Sequence, residues 1–564
     1  MTALKPHRLL AYGVLSLALC GCGESSFQNS PGAFRSSTTR IRGFDPVRAG
    51  DVASQLAMGK VYEGLLQYSY LDRPYRLEPL LAEEMPDVSP DGLVFTFRLK
   101  RGVHFHDDPC FPGGKGRELT AEDFIYSIKR AADKKNLSTG WWAFNGRIQG
   151  LNEFREAAAG ESPTDYSVPV AGLTAPDPHT LQITLTRPFP QLLWILAMPY
   201  AYAVPREAVE YYGENFVSHP VGTGPFILSE WRRNYRLEYR RNPAWHGGAP
   251  GLERIVEYMI GDSSTRWLAF LTGQLDFYKD ISHDNWDVIF RDGGRLAPEL
   301  AARGIRASGI AGLDTYYIGF NMDDPVVGHN KKLRKALTCA FDSEAWIKYY
   351  NHRVTRARGP IPPGVEGYSD EPALHPYDLE KARKLLAEAG WPDGRDPQTG
   401  KRLELTLELG QTDTEIREST ELFIGFMDKL GVVINPSYNN KPAFFKKIEQ
   451  REAQMFRLSW FADYPDAENF LQLFYGPNAS PGPNRVNYRR PEYDRLYEEI
   501  RVMQDGPERT ELYRRMAAMV EEDCPWIFMH HPMAYVLHHD RLRNYAPHDF
   551  PYGMEKHFRL EERP

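Results

Sequence analysis

Cysteine is scarce in this chain. Of five in 564 residues, two stand at positions 20 and 22, which leaves Cys110, Cys339 and Cys524 in the body. Three widely spaced thiols allow one disulfide at most and supply no metal framework. Long apolar runs are also lacking. Beyond the amino terminus the best is Leu192–Val204, which Pro199 and two tyrosines interrupt, so nothing there reaches membrane-spanning length. Neither sign of charge dominates: the formal net charge is −7 with mixed signs throughout, which argues against a nucleic-acid binder. Enzyme signatures are missing too, with no Gly-x-Ser-x-Gly, His-Glu-x-x-His, P-loop or dinucleotide Gly-x-Gly-x-x-Gly. Gly261-Asp-Ser263 looks like a hydrolase serine block, but no His or Asp follows in the expected order. His104, His106 and Asp107 form a loose cluster, and His530-His531 and His538-His539 are adjacent pairs. Neighbouring histidines point to opposite faces of a strand, so neither pair chelates by itself. The expectation is a protein without catalysis, metal or cofactor.

Aromatic residues are abundant, with 11 Trp, 31 Tyr and 29 Phe. They suit ordinary cores and equally a pocket that grips ligands by stacking and tyrosine hydroxyls. The hydrophobic share of 42% suffices for real cores, and a chain this long accommodates roughly two to four domains. At the amino terminus Lys5, His7 and Arg8 precede the apolar run Leu9–Leu19, the pattern of an export signal. The run ends in Leu19-Cys20-Gly21-Cys22, which resembles a bacterial lipobox. Small Gly21 makes Cys22 the expected lipidation site within a signal at residues 1–22. Residues 23–38 are rich in Gly, Ser, Asn and Pro and read as a flexible tether.

The most informative stretch is Phe456–Phe470. An apolar, strand-like run carries Arg457, Ser459, Trp460 and Phe461, and Asp463 follows directly before Tyr464-Pro465. Charges set among rings are costly to desolvate unless something pairs with them. Local sequence leaves two readings of Asp463: a cap for a helix over Asp466–Leu473, or an anchor for a charged group on a ligand.

Further motifs occur in a fixed order. Asp45-Pro46 is followed by Tyr62-Glu-Gly-Leu65, then Pro79-Leu-Leu-Ala82, and then the strand-like Leu93–Leu99 behind a Pro90-Asp-Gly92 turn. Thr120-Ala-Glu-Asp-Phe-Ile-Tyr-Ser127 has Thr120 as N-cap and Asp123 at the capping-box position, so it starts a helix. Later come Gly222-Thr-Gly-Pro-Phe226, Arg241-Asn-Pro243, Gly273-Gln-Leu-Asp276, Gly319-Phe-Asn321, Ala340-Phe-Asp342, Glu388-Ala-Gly-Trp391 and Tyr488 with Pro491-Glu492. This ordered set resembles the peptide-binding proteins of ABC importers, of the oligopeptide and dipeptide type, over roughly residues 40–540. Departures are local: a long Gly/Pro-rich loop at His106–Arg117, no plain counterpart of the family's aromatic before the helix near Pro442–Phe445, and turn formers over Gly476–Asn484.

The resemblance implies an α/β, bilobed periplasmic-binding-protein fold of type II, two lobes with a hinge, plus an accessory α+β domain. Lobe I would comprise 39–65, 190–305 and 537–564, the accessory domain 66–189, and lobe II 306–536. Ligand would be enclosed by lobe closure. The matching Trp460-Phe-Ala-Asp-Tyr464 gives Asp463 the role of pairing with a peptide's α-amine, and Arg457 that of meeting its carboxylate from six residues upstream. Val52 would lie near the backbone segment that pairs with the ligand, with Ser459 and Phe461 as counterparts on lobe II and Trp141 as a ring over the ligand. The implied protein is a monomeric, lipid-anchored receptor in the periplasm or cell envelope, handing peptides to an ABC permease. Two alternatives stay open. The same fold can serve an oligosaccharide, an opine-like compound or a metal chelate, or the scaffold can serve as an interaction lipoprotein or a hydrolase.

Overall fold

The computed structural model describes residues 32–561, apart from 49, 161, 292 and 293. The expected signal, Cys22 and the first part of the tether lie outside the described residues. The last part is not a tether. Ala33–Thr38 is a buried strand paired in parallel with Arg254–Met259. Its serines suggest a linker by composition, but they are packed inside the sheet, and Arg35 locks the strand to Asp276 with Nη2–Oδ1 at 3.1 Å. Arg541 reaches the same carboxylate at 2.7 Å, so one buried aspartate ties the two ends of the described chain together.

The first sheet has four strands, in the order Ala33–Thr38, Arg254–Met259, Arg236–Arg241, Phe226–Arg232. A separate antiparallel sheet, Asp87–Val88, Val94–Arg98, Thr180–Thr184 and Leu173–Asp177, packs with the helix Ala121–Ala132. That helix begins with the expected capping box between Thr120 and Asp123. Arg117 grips Asp123, and Arg130 at the other end makes a two-pronged pair with Asp45 of the Asp-Pro motif, both contacts at 3.0 Å.

The largest sheet runs Phe277–Tyr278, Trp526–His539, Asp314–Phe320, Met455–Phe461, Glu404–Leu409, Val433–Tyr438. Its long strand serves two regions. Trp526–His530 pairs with Gly319–Tyr316, and Met533–His539 pairs with Ala311–Ile305. The first part sends Ile527 and Met529 into one apolar core, and the second sends Leu537 into another. Two antiparallel strands therefore cross together from one lobe to the other, breaking step at Gly312, whose N–H donates to Pro532 O at 2.7 Å. The molecule is a bilobed α/β protein with an accessory sheet and helix beside the first lobe.

Cys110, Cys339 and Cys524 are all free thiols. The histidine pairs are structural: His531 Nδ1 lies 2.9 Å from Asp314 O, and Trp346 Nε1 donates to His530 Nδ1 at 3.0 Å. No helix among the described residues is long and apolar enough to cross a membrane.

Candidate functional site

The strand Met455–Phe461 alternates, so Arg457, Ser459 and Phe461 share one face and Phe456, Leu458 and Trp460 the other. Asp314–Phe320 covers one edge along its whole length, from Asp314↔Phe461 to Phe320↔Met455. The other edge is covered by Glu404–Leu409 only as far as Arg457, because that strand stops at Leu409 and the chain turns toward the helix Thr414–Asp428. Among the described residues no strand pairs with Leu458–Phe461 on that side. An uncovered edge beside exposed Phe461, with 60% of its surface accessible, is a template for an added extended segment.

Arg457 is buried under Trp346, with its guanidinium 5.3 Å from the ring centroid. It donates to Ser419 Oγ at 2.7 Å and to Tyr350 Oη at 3.2 Å. No carboxylate among the described residues is within ion-pair distance. The cation's cost falls on its neighbour: burial first, then the Arg457 charge, hold His530 neutral with a pKa well below the usual imidazole range.

Asp463 lies past the strand's end, so the extended six-residue span from Arg457 does not apply; the chain bends over Asp463–Pro465. Its carboxylate is not the helix cap. The helix Glu468–Leu471 has Ala467 at its N-cap with no side-chain cap bond, and Asp466, one residue earlier, accepts from Glu468 N at 2.8 Å. Asp463 is open to solvent, and its Oδ2 accepts from Asn469 Nδ2 at 3.2 Å. The surrounding protein raises its pKa, against smaller lowering effects of the Asn469 hydrogen bond and the Arg147 charge. Asn469 is buried and also fixes the Trp460 ring, accepting from Trp460 Nε1 at 2.9 Å. Behind the bend, Asp466 pairs with Arg509 at 3.0 Å and accepts from Tyr513 Oη at 2.7 Å, while Tyr464 Oη donates to Glu468 at 2.9 Å. The bend that presents Asp463 is thus bolted down from its far side.

Across from it, two expected residues sit differently. Val52 is the first residue of the helix Val52–Met58, capped by Asp51, so it offers no extended backbone. It is 66% exposed and lines a recess of about 800 Å³ with Arg42, Trp231 and Arg233. Trp141 is covered by Arg155, whose guanidinium lies 4.5 Å over its ring. Its neighbour Trp142 is the exposed ring, set edge-on to Tyr200 at 6.2 Å. Arg147 escaped sequence reasoning altogether. It stacks on Phe189 at 4.1 Å, and burial lowers its pKa against the opposing influence of Tyr464 and Glu468. No motif marks it; only the fold brings it toward Asp463. Among the described residues no His/Cys/Asp/Glu cluster has the makings of a metal site.

A two-lobed α/β protein with paired crossing strands, and with an open strand edge flanked by unpaired charges, belongs to the class of solute-binding proteins. The chain matches the model of the bacterial extracellular solute-binding proteins, family 5, over residues 76–482, and it is a member of that family. It is similar to the heme-binding protein A of Haemophilus influenzae, 26% identical and covering 97% of this chain and 98% of that one. The di/tripeptide-binding protein 2 of Pseudomonas aeruginosa is 26% identical, with 94% and 95% covered. Among solved structures, HbpA2 from Haemophilus parasuis superposes with a TM-score of 0.81 at 24% identity, covering 94% of this chain and 99% of that one.

Proposed function

We propose that this protein is the receptor of an ABC importer for short peptides, which it binds between its lobes with the ligand backbone laid along Leu458–Phe461. Asp463 takes the ligand's α-ammonium, and Arg457 attracts its carboxylate. The observation that carries this reading is Asp463 itself, a solvent-facing carboxylate with a raised pKa, an amide as its hydrogen-bond partner and the Arg147 charge nearby, just past the end of an uncovered strand edge. The names of the relatives agree in kind, one being a di/tripeptide-binding protein and another a glutathione-binding protein. Buried ion pairing of this sort gives orientation and specificity more than net affinity. Val52 would contribute through the free N–H groups of its helix start rather than as a strand, and Trp142 is better placed than Trp141 to lie over a ligand.

Closure would turn on the two crossing strands, and Cys22 would carry a lipid that holds the receptor at the cell envelope. Cys22→Ala is expected to release the exported protein from the membrane fraction. Titration calorimetry of di- to pentapeptides against wild type and Asp463→Asn tests the anchor. Loss of binding by about 2–4 kcal/mol, or roughly 30- to 1000-fold, is expected in the variant. Equal affinity in both proteins, or no peptide bound by either, sinks the assignment. The affinity of wild type should also weaken on acidification sooner than for an ordinary aspartate. Protonation of a carboxyl whose pKa is raised removes the charge that the ammonium needs.

A further inference from the structure

The first lobe contains another pocket, of about 350 Å³, that none of the peptide-site residues lines. Phe34, Phe277, Tyr545 and Phe558 close one side of it as a ring of rings, successive centroids 6.0, 5.1, 5.7 and 5.8 Å apart and all edge-to-face. Trp286 and Tyr535, 5.2 Å apart, stand on another side. A cluster of buried charges reaches it. Lys60, whose side chain is 1% exposed, pairs with Glu257 Oε1 at 3.3 Å and with Glu555 Oε1 at 2.9 Å. Burial lowers the Lys60 pKa, and the two glutamates raise it further than burial lowers it, so the ammonium is kept charged. The second oxygen of Glu555 is buried and has no hydrogen-bond partner among the described residues.

Charge counting gives the occupant. Two carboxylates face the Lys60 ammonium; the buried Lys556 also acts on Glu555 but is shared with Glu63 and Glu78, so the glutamates still outnumber the lysines. Lys279 and Asp280 also line the cavity and cancel each other. His548 adds nothing, because burial holds its pKa down to about 3. An unsatisfied carboxylate oxygen inside an aromatic enclosure is costly when empty. It suits a cation that donates a charge-assisted hydrogen bond to that oxygen while ring faces surround its hydrocarbon part. The volume lies at the small end of ligand pockets.

We propose that this cavity is a second binding site, for a small organic ammonium ion, with Glu555 as its acceptor and the four-ring cluster around its body. It does not depend on the peptide reading, since it shares no residue with that site.

Titration of the purified exported protein with phenethylammonium chloride, beside the neutral isostere 2-phenylethanol, tests it in wild type, Glu555→Gln, Tyr535→Leu and Asp463→Asn. The ammonium should bind at least tenfold more tightly than the alcohol. Glu555→Gln, in which Lys60 keeps Glu257, should weaken it at least tenfold, and Tyr535→Leu several-fold. Asp463→Asn should leave it unchanged while losing peptide. If Glu555→Gln does not fold, the amine-over-alcohol preference and the Tyr535→Leu loss decide alone. No amine binding, equal binding of amine and alcohol, full affinity in both cavity variants, or loss in Asp463→Asn overturns the site.

Discussion

Beside the accessory helix, Asp45 holds Arg130 through both oxygens at 3.0 Å, and both side chains are nearly buried. On the strand Met455–Phe461, Arg457 is about as buried but donates only to a serine and a tyrosine, and Asp463 just beyond it leans on one amide. The two regions differ in what their charges are for. Where opposite charges close on each other, the cost of desolvation is met inside the fold and the pair fixes how segments dock. Where they stay open, that cost is met only in part inside the fold, and on the reading proposed above a ligand offsets the rest. Motifs of the first kind dominate the family pattern: Asp45, Asp123 and Asp276 each sit in a closed pair, and Glu63 accepts from Trp245 at 2.9 Å and lies 3.0 Å from His246.

The sharpest way to break this comparison is to open a closed pair. Asp45→Ala leaves the Arg130 guanidinium buried and alone, and should cost about 3–5 kcal/mol of unfolding free energy in denaturant titrations. Peptide affinity of the remaining folded protein should hold. A cost under about 1 kcal/mol would erase the distinction between the regions.

Next in size is the acid where the chain crosses between lobes. Burial, with Asp549 adding to it, raises the Asp314 carboxyl to about 7. The unfolded chain releases this proton near pH 4, so between about 4 and 7 the folded state binds more protons than the unfolded one. Stability from this group is therefore lost as pH rises through that window, by up to about 4 kcal/mol. Asp314→Asn should flatten the slope in thermal or chemical denaturation and leave the protein more stable than wild type at pH 8. A variant that keeps the wild-type slope would assign it to other groups.

The fold was legible because its signals are local or paired. A capping box announces the helix at Ala121, and alternation announces the strand at Val94. The candidate site was legible only where one short stretch carries it, as at Arg457–Asp463. Composition misled at Ala33–Thr38, where serines packed in a sheet read as linker. Helix and strand are hard to tell apart over a few residues, and the Asp51 cap, visible in the sequence, settles Val52 as helix start. Two adjacent tryptophans offer no way to choose which ring faces out; Arg155 over Trp141 decides it. Arg147 had no signal at all, since its neighbours Phe189, Tyr464 and Glu468 are distant in sequence.

The smallest expected effect probes how the open region is held ready. Asn469 donates to Asp463 Oδ2 and accepts from Trp460 Nε1, so it sets a carboxylate and a ring with one buried amide. It need not touch ligand to matter. Asn469→Ala should weaken peptide binding by about 1–1.5 kcal/mol, roughly five- to tenfold, through lost orientation. A purely structural loss would stop there. The Asn469 hydrogen bond lowers the Asp463 pKa, so its removal should also move the acid limb of the binding profile to higher pH. Weakened binding with an unmoved acid limb would reduce Asn469 to packing, and would leave Asp463 to be positioned by the bolted bend behind it.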